Sequence, residues 1–166
     1  MELTLIDRLT KILEESGFTD ISSELVESRL YKIKMKKIST FEIYFYLRNI
    51  GKSGWSDKKE IRRVQVAGFN VNSLPPTNHQ SASMIIGIQN IFDEDICVVW
   101  NIYNYGNHSK NRSCYVKTAN IYKAFTTGYV TTTDSNQKIW LCDRNNFDRL
   151  LNDYIMTNYI SDGTIK

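Results

Sequence analysis

The stretch from Phe41 to Ala67, FEIYFYLRNIGKSGWSDKKEIRRVQVA, constrains this chain more than any other. Phe41, Ile43, Phe45 and Leu47 alternate with Glu42, Tyr44, Tyr46 and Arg48. A period of two is that of a half-buried strand, and a helix cannot sort these side chains onto one face. A loop containing Gly51, Gly54 and Trp55 follows, and then a second strand, Ile61 to Ala67. The loop and its flanks supply Arg48, Lys52, Lys58, Lys59, Arg62 and Arg63 against Asp57 and Glu60 alone. Sheet packing has no use for that surplus, whereas an anionic partner does.

The chain's charge is distributed unevenly. Residues 29–63 hold eleven Lys and Arg against Glu42, Asp57 and Glu60. Residues 1–27 hold Arg8 and Lys11 against seven carboxylates, and the remainder is balanced, so the formal total is only +3. Clustering of this kind points to nucleic acid, although a solvated lysine-rich strand face gives the same count. At 166 residues the chain is expected to form one domain over 1–160, burying roughly 70% of its unfolded surface. The polar stretch 161–166 reads as a tail or a linker to a further domain. No apolar run reaches the ~20 residues of a membrane span and no signal peptide opens the sequence, so a cytoplasmic, non-membrane protein is expected. Cys97, Cys114 and Cys142 lie far apart inside apolar runs and read as small buried hydrophobes.

In chain order, Leu3–Ser16 has helical spacing of Leu5, Ile6, Leu9, Ile12 and Leu13, with Gly17 as its stop. Arg29–Lys36 alternates Tyr31, Ile33 and Met35 with Lys32, Lys34 and Lys36. That row of lysines reads either as the defence of an edge strand or as a backbone-contacting surface. Met84–Gln89 and Ile96–Tyr103 read as strands around the acidic turn Asp93-Glu94-Asp95, the second as a central buried strand. Asn104–Arg112 is a second polar loop. A short strand at Ser113–Lys117 precedes a helix at Ala119–Thr127 capped by Thr118 and stopped by Gly128. A hairpin turns at Asp134-Ser135-Asn136, and a last helix is expected to start from Asp143. About eight strands and three helices without regular alternation predict a mostly β, α+β fold, a seven- or eight-stranded antiparallel pseudobarrel flanked by helices.

Catalytic signatures are scarce. The sequence has no nucleophile elbow and no phosphate loop, and its two histidines, His79 and His108, lie in polar loops. Zinc would lack ligands. One enzymatic alternative is a metal-dependent nuclease, with Asp57-Lys58-Lys59 as the D-x-K element and Glu42 upstream. Another is an interaction or oligomerisation domain using the Tyr44/Tyr46 face. Duplex DNA recognition uses more of the residues. Arg48, Lys52, Ser53, Trp55, Ser56, Lys58, Lys59, Arg62 and Arg63 of the first loop are candidate contacts. Asn104, Tyr105, Asn107, His108, Lys110, Asn111, Arg112 and Lys117 are those of the second. Arg, Lys and Asn read base edges, lysines and hydroxyls hold phosphates, and Trp55 either stacks on a base or anchors its own loop. Regular strand geometry puts Arg62 and Arg63 on opposite faces, so one of them at most is on the binding side.

Glu60, Arg62 and Gln65 sit in a strand after a basic loop. Ile85-Ile86-Gly87, an acidic turn, a buried strand ending near Asn101, and His108–Ser113 follow in order. A helix ending Ala124-x-x-x-Gly128 and an aromatic-rich closing helix complete the series. This order, from about Phe41 to Ile155, resembles the N-terminal DNA-binding domains of LlaJI-type restriction proteins, relatives of the McrBC systems, which are similar to the B-three pseudobarrel. The resemblance implies a non-catalytic, site-specific domain whose two loops, Arg48–Arg63 and Tyr103–Lys117, enter the major groove. It also implies that GTP and magnesium serve a downstream motor domain and a separate nuclease subunit, with no cofactor here.

Overall fold

The computed structural model describes residues 3–27, 29–52, 60–106 and 111–159. Among the described residues ten strands form two sheets, and three helices cover them. The strands are β1 (Thr19–Glu27), β2 (Leu30–Lys36), β3 (Thr40–Asn49), β4 (Gly51–Lys52), β5 (Ile61–Val66), β6 (Ser81–Ile91), β7 (Glu94–Trp100), β8 (Arg112–Lys117), β9 (Tyr129–Asp134) and β10 (Gln137–Cys142). The large sheet runs β1-β2-β3-β6-β7-β10-β9, and the small one β4-β5-β8. The mostly β class with flanking helices is as the sequence predicts. One pair departs from the antiparallel rule: β3 and β6 run parallel, Phe45 beside Met84 and Leu47 beside Ile86.

The period-two pattern explains the layering. In β3, Phe41, Ile43, Phe45 and Leu47 face a core closed by helices α1 (Leu5–Glu15) and α3 (Phe147–Asn158). The opposite face of the large sheet, with Ile85, Val98, Trp100 and Leu141, is covered by the small sheet and by α2 (Thr118–Thr127). Val64, Val66, Cys114 and Val116 are the small sheet's inward side chains. Trp100 ties the two sheets together, its indole Nε1 donating to the Tyr115 carbonyl at 2.9 Å. All three cysteines are buried free thiols.

The helix ends differ in detail from expectation. Thr4 and Asp7 form a reciprocal capping box on α1, which satisfies two of its free amides. Thr118 is the first residue of α2, with Lys117 at the capping position. Asn146, not Asp143, precedes α3; Asp143 instead accepts from the Asn145 amide and the Asn146 side chain, shaping the turn before the helix. The 92–95 turn is Phe92-Asp93, both with positive φ, while Glu94 and Asp95 already belong to β7. β7 is the central buried strand that was expected, Ile96 to Trp100 having no exposure. It ends at Trp100 because Asn101 caps a 3-10 turn at Ile102–Asn104. The lysine-bearing β2 is no edge, since β1 lies outside it.

Candidate nucleic-acid interface

The small sheet turns one face inward and the other to solvent. With Val64 and Val66 buried, alternation sends Arg63 and Gln65 outward. On β8 it sends Ser113, Tyr115 and Lys117 the same way. The register places Arg63 opposite Tyr115, Gln65 opposite Ser113 and Ile61 opposite Lys117. Arg63 Nη1 donates across this face to Ser113 Oγ at 3.5 Å.

Beside this face lies an open trough of about 530 Å3, lined by Arg29, Arg48, Asn49, Arg63, Gln65 and Asn111 among others. The ends of three elements meet here: the β1–β2 turn, the C-terminal end of β3, and β5. Burial and the neighbouring Arg29 charge hold the Arg48 guanidinium below its usual value, and Arg48 Nη1 donates to the Leu47 carbonyl at 2.8 Å. Among the described residues no carboxylate pairs with Arg29, Arg48, Arg63 or Arg112. Converging cations without counter-charge cost the fold stability, which is expected where an external anion completes the site.

The two loops attach at opposite ends of the small sheet. The 53–59 segment joins β4 to β5 near Ile61, the Cα partner of Lys117. The 107–110 segment leads into β8 at Arg112, the partner of Val66. Five residues of strand separate these attachment points, about 17 Å, more than the ~12 Å width of a major groove. The acidic helix α1 packs on the far face of the large sheet, which leaves this side basic.

The structure brings Arg48, Arg63 and Asn111 into one trough, and β4 carries the Lys52 backbone opposite Arg62. Arg62 lies on the inward face beside Val64, its Nε buried without a partner among the described residues, so Arg63 is the outward one of the pair. Tyr105 is only 6% exposed and packs in the second core. The Arg112 guanidinium sits 5.3 Å above its ring, and Arg112 Nη1 donates to the Asn104 carbonyl at 3.4 Å. Tyr105, Asn104 and Arg112 thus brace the root of the second loop. Burial pushes the Tyr105 phenol well up, and the Cys114 thiol to about 12. Lys117 lies on the other flank of the sheet. Ser53, Trp55, Ser56, Lys58, Lys59, Asn107, His108 and Lys110 lie outside the described residues, as does Asp57. Arg29, Asn49 and Gln65 are trough residues that sequence reasoning passed over. Gln65 had a signal in its shared parity with Arg63; Arg29 had only its place at the start of the basic block 29–63.

Two alternatives meet specific contacts. Glu42, the upstream carboxylate of the nuclease reading, is ion-paired with Lys32 at 2.9 Å. Of the Tyr44/Tyr46 face, Tyr46 is buried against Phe69, ring centroids 5.0 Å apart, and Tyr44 is partly covered.

A family model described as methylase-associated X1 matches residues 41–151, which takes in both loop attachments, the trough residues other than Arg29 and the second core other than Leu30. No curated protein and no solved structure matches the chain.

Proposed function

This chain belongs to the methylase-associated X1 family, a restriction-modification-associated domain, and we propose that it is the duplex-DNA recognition module of such a system. One observation carries the reading: an outward sheet face and adjoining trough present Arg29, Arg48 and Arg63 with no carboxylate partner among the described residues. A polyanion supplies the missing charge, and the flanking Asn49, Gln65 and Asn111 offer the amide donors and acceptors that base edges accept. The separation of the loop attachments supports a grip on both sides of a groove. The finer reading is a B-three-like domain of a bacterial cytoplasmic protein that reads a short site through the major groove and performs no chemistry itself. The family description makes a methyltransferase the first partner to test. A GTP-dependent motor and a magnesium-dependent nuclease are partners by the LlaJI and McrBC resemblance alone.

The test is a fluorescence-anisotropy titration with random duplex at two salt concentrations, with and without magnesium. Salt-sensitive binding with intact DNA is the expected result. Absence of binding at low salt would overturn DNA recognition. Magnesium-dependent cutting that Asp57→Ala abolishes would establish the nuclease instead.

A further inference from the structure

The small sheet has a second concavity on its other flank, a cleft of about 600 Å3 between β8, the start of α2 and the tip of the β9–β10 hairpin. Ile61, Val116 and Ile139 contribute apolar surface, and Lys117, Asn120 and Asp134 contribute polar groups. The cleft has the size of a small-molecule site, but its lining is mixed, with Thr132, Thr133 and Ser135 adding further polar groups beside the apolar ones. Asn120 Nδ2 donates to Thr132 Oγ1 at 3.5 Å. That bond joins helix to hairpin and leaves the Asn120 carbonyl oxygen as an acceptor. Among the described residues neither Lys117 nor Asp134 is ion-paired.

The cleft's position matters as much as its chemistry. The Thr118 amide and hydroxyl both donate to the Glu60 carbonyl, at 2.7 and 2.9 Å. The root of the basic loop is therefore fastened to the helix start at the cleft. The cleft thus lies at the end of the small sheet where the 53–59 segment joins β5.

We propose that this cleft receives a single unstacked nucleobase bearing an exocyclic amine, with Asp134 accepting from the amine and Lys117 meeting the adjoining phosphate. The proposal rests on the DNA-binding reading above. Adenine, cytosine and guanine each present an amino group that a carboxylate can accept from. Thymine presents carbonyl oxygens on both sides of its only ring donor and repels one. Extruding a base costs a few kcal/mol of stacking and pairing, which a fitted cleft offsets.

The experiment titrates the full 166-residue chain with the four deoxynucleoside monophosphates and follows backbone amides by NMR, alongside duplex anisotropy on the same protein. The three amine-bearing nucleotides are expected to shift Lys117, Asn120 and Asp134, with thymidine monophosphate at least about fivefold weaker. Asp134→Asn, its fold verified by its amide spectrum, is expected to erase that preference, and Asp134→Ala serves if the first variant is unstable. Equal binding of all four, shifts confined to Arg48 and Arg63, or a preference that survives both variants would overturn the cleft assignment. Salt-sensitive duplex binding without any cleft shift would overturn the cleft assignment alone. Loss of duplex binding at low salt would overturn the DNA reading and this one with it.

Discussion

Gly87 and Val64 hold the two sheets at a separation that leaves no room for another carbon. A Cβ built on Gly87 would stand 3.0 Å from Val64 Cγ1, 3.0 Å from Trp100 Cζ3 and 2.7 Å from Ile50 Cγ1. Val64 and Trp100 are buried between the sheets and cannot retreat into solvent, and Ile50 is partly buried at their edge. Gly87→Ala is expected to cost about 1–3 kcal/mol as an overpacking change, read as a lower urea midpoint. Because Arg48 is the Cα partner of Gly87 on the adjacent strand, the same variant should also weaken duplex binding. A variant with unchanged midpoint would show that the sheets can slide apart, and that the trough is not rigidly set.

Tyr154 supplies a second test of how the site is held. Its hydroxyl donates to the Ser83 carbonyl at 2.5 Å and accepts from the Ile102 amide at 3.4 Å, with no exposure to water. These bonds link α3 and β6 to the 3-10 turn from which the second loop departs. Removing the hydroxyl leaves the Ser83 carbonyl and Ile102 amide short of a partner. Tyr154→Phe should therefore destabilise by about 1–3 kcal/mol. Hydrogen exchange at Ile102 should quicken in the variant; equal protection would mean that the turn is held by other contacts.

How much of this was legible can be judged residue by residue. Phe41, Ile43, Phe45 and Leu47 announced β3 because a strand with one side on a core must alternate, and Ile96–Trp100 announced a central strand because both its faces are buried. β1 was not legible: apart from Ile21 its positions are exposed, so no apolar rhythm marks it. The parallel pairing of β3 with β6 was equally hidden, because alternation specifies a face and not a partner. At the site, local charge pointed to Arg48 and Arg63, but Arg29 reaches the trough only through the β1–β2 turn. Tyr105 read as a loop contact because its neighbours are polar, while the space under Arg112 decided that its ring would be core. Loop composition cannot distinguish an aromatic that faces out from one that plugs the loop's base.

The Arg8–Asp95 pair gives stability a defined pH dependence. Burial pushes the Asp95 carboxyl up, but hydrogen bonds from Arg8 and Asn90 and the charges of Arg8 and Lys11 more than offset it, so its value is lowered. Arg8 Nη2 lies 2.7 Å from Asp95 Oδ1, with the side chains 20% and 18% exposed. A carboxylate with a depressed value contributes stability that is complete above its unfolded value, near 3.9. That contribution is lost as pH falls through the folded value. Asp95→Asn should be less stable than the parent at pH 7, and the two unfolding curves should converge as pH falls through the lowered folded value of Asp95. Curves that stay parallel through the acid range would remove the ion pair from the account.

Arg48 sets function against stability most directly. In the free protein its charge is disfavoured by burial and by Arg29, so an isolated fold gains by losing it. In the proposed DNA complex the same charge would neutralise a phosphate. Arg48→Gln should raise the unfolding midpoint slightly, by roughly 0.5 kcal/mol or less once solvent screening is allowed for. It should lower the salt slope of duplex binding by about 0.9 and weaken all sequences alike. Arg63→Lys offers the contrast, because lysine keeps the charge but not the planar fork. Its salt slope should be retained while preference among sequences relaxes. If Arg48→Gln loses stability and leaves the slope untouched, Arg48 is a structural residue and the trough is not where the phosphates sit.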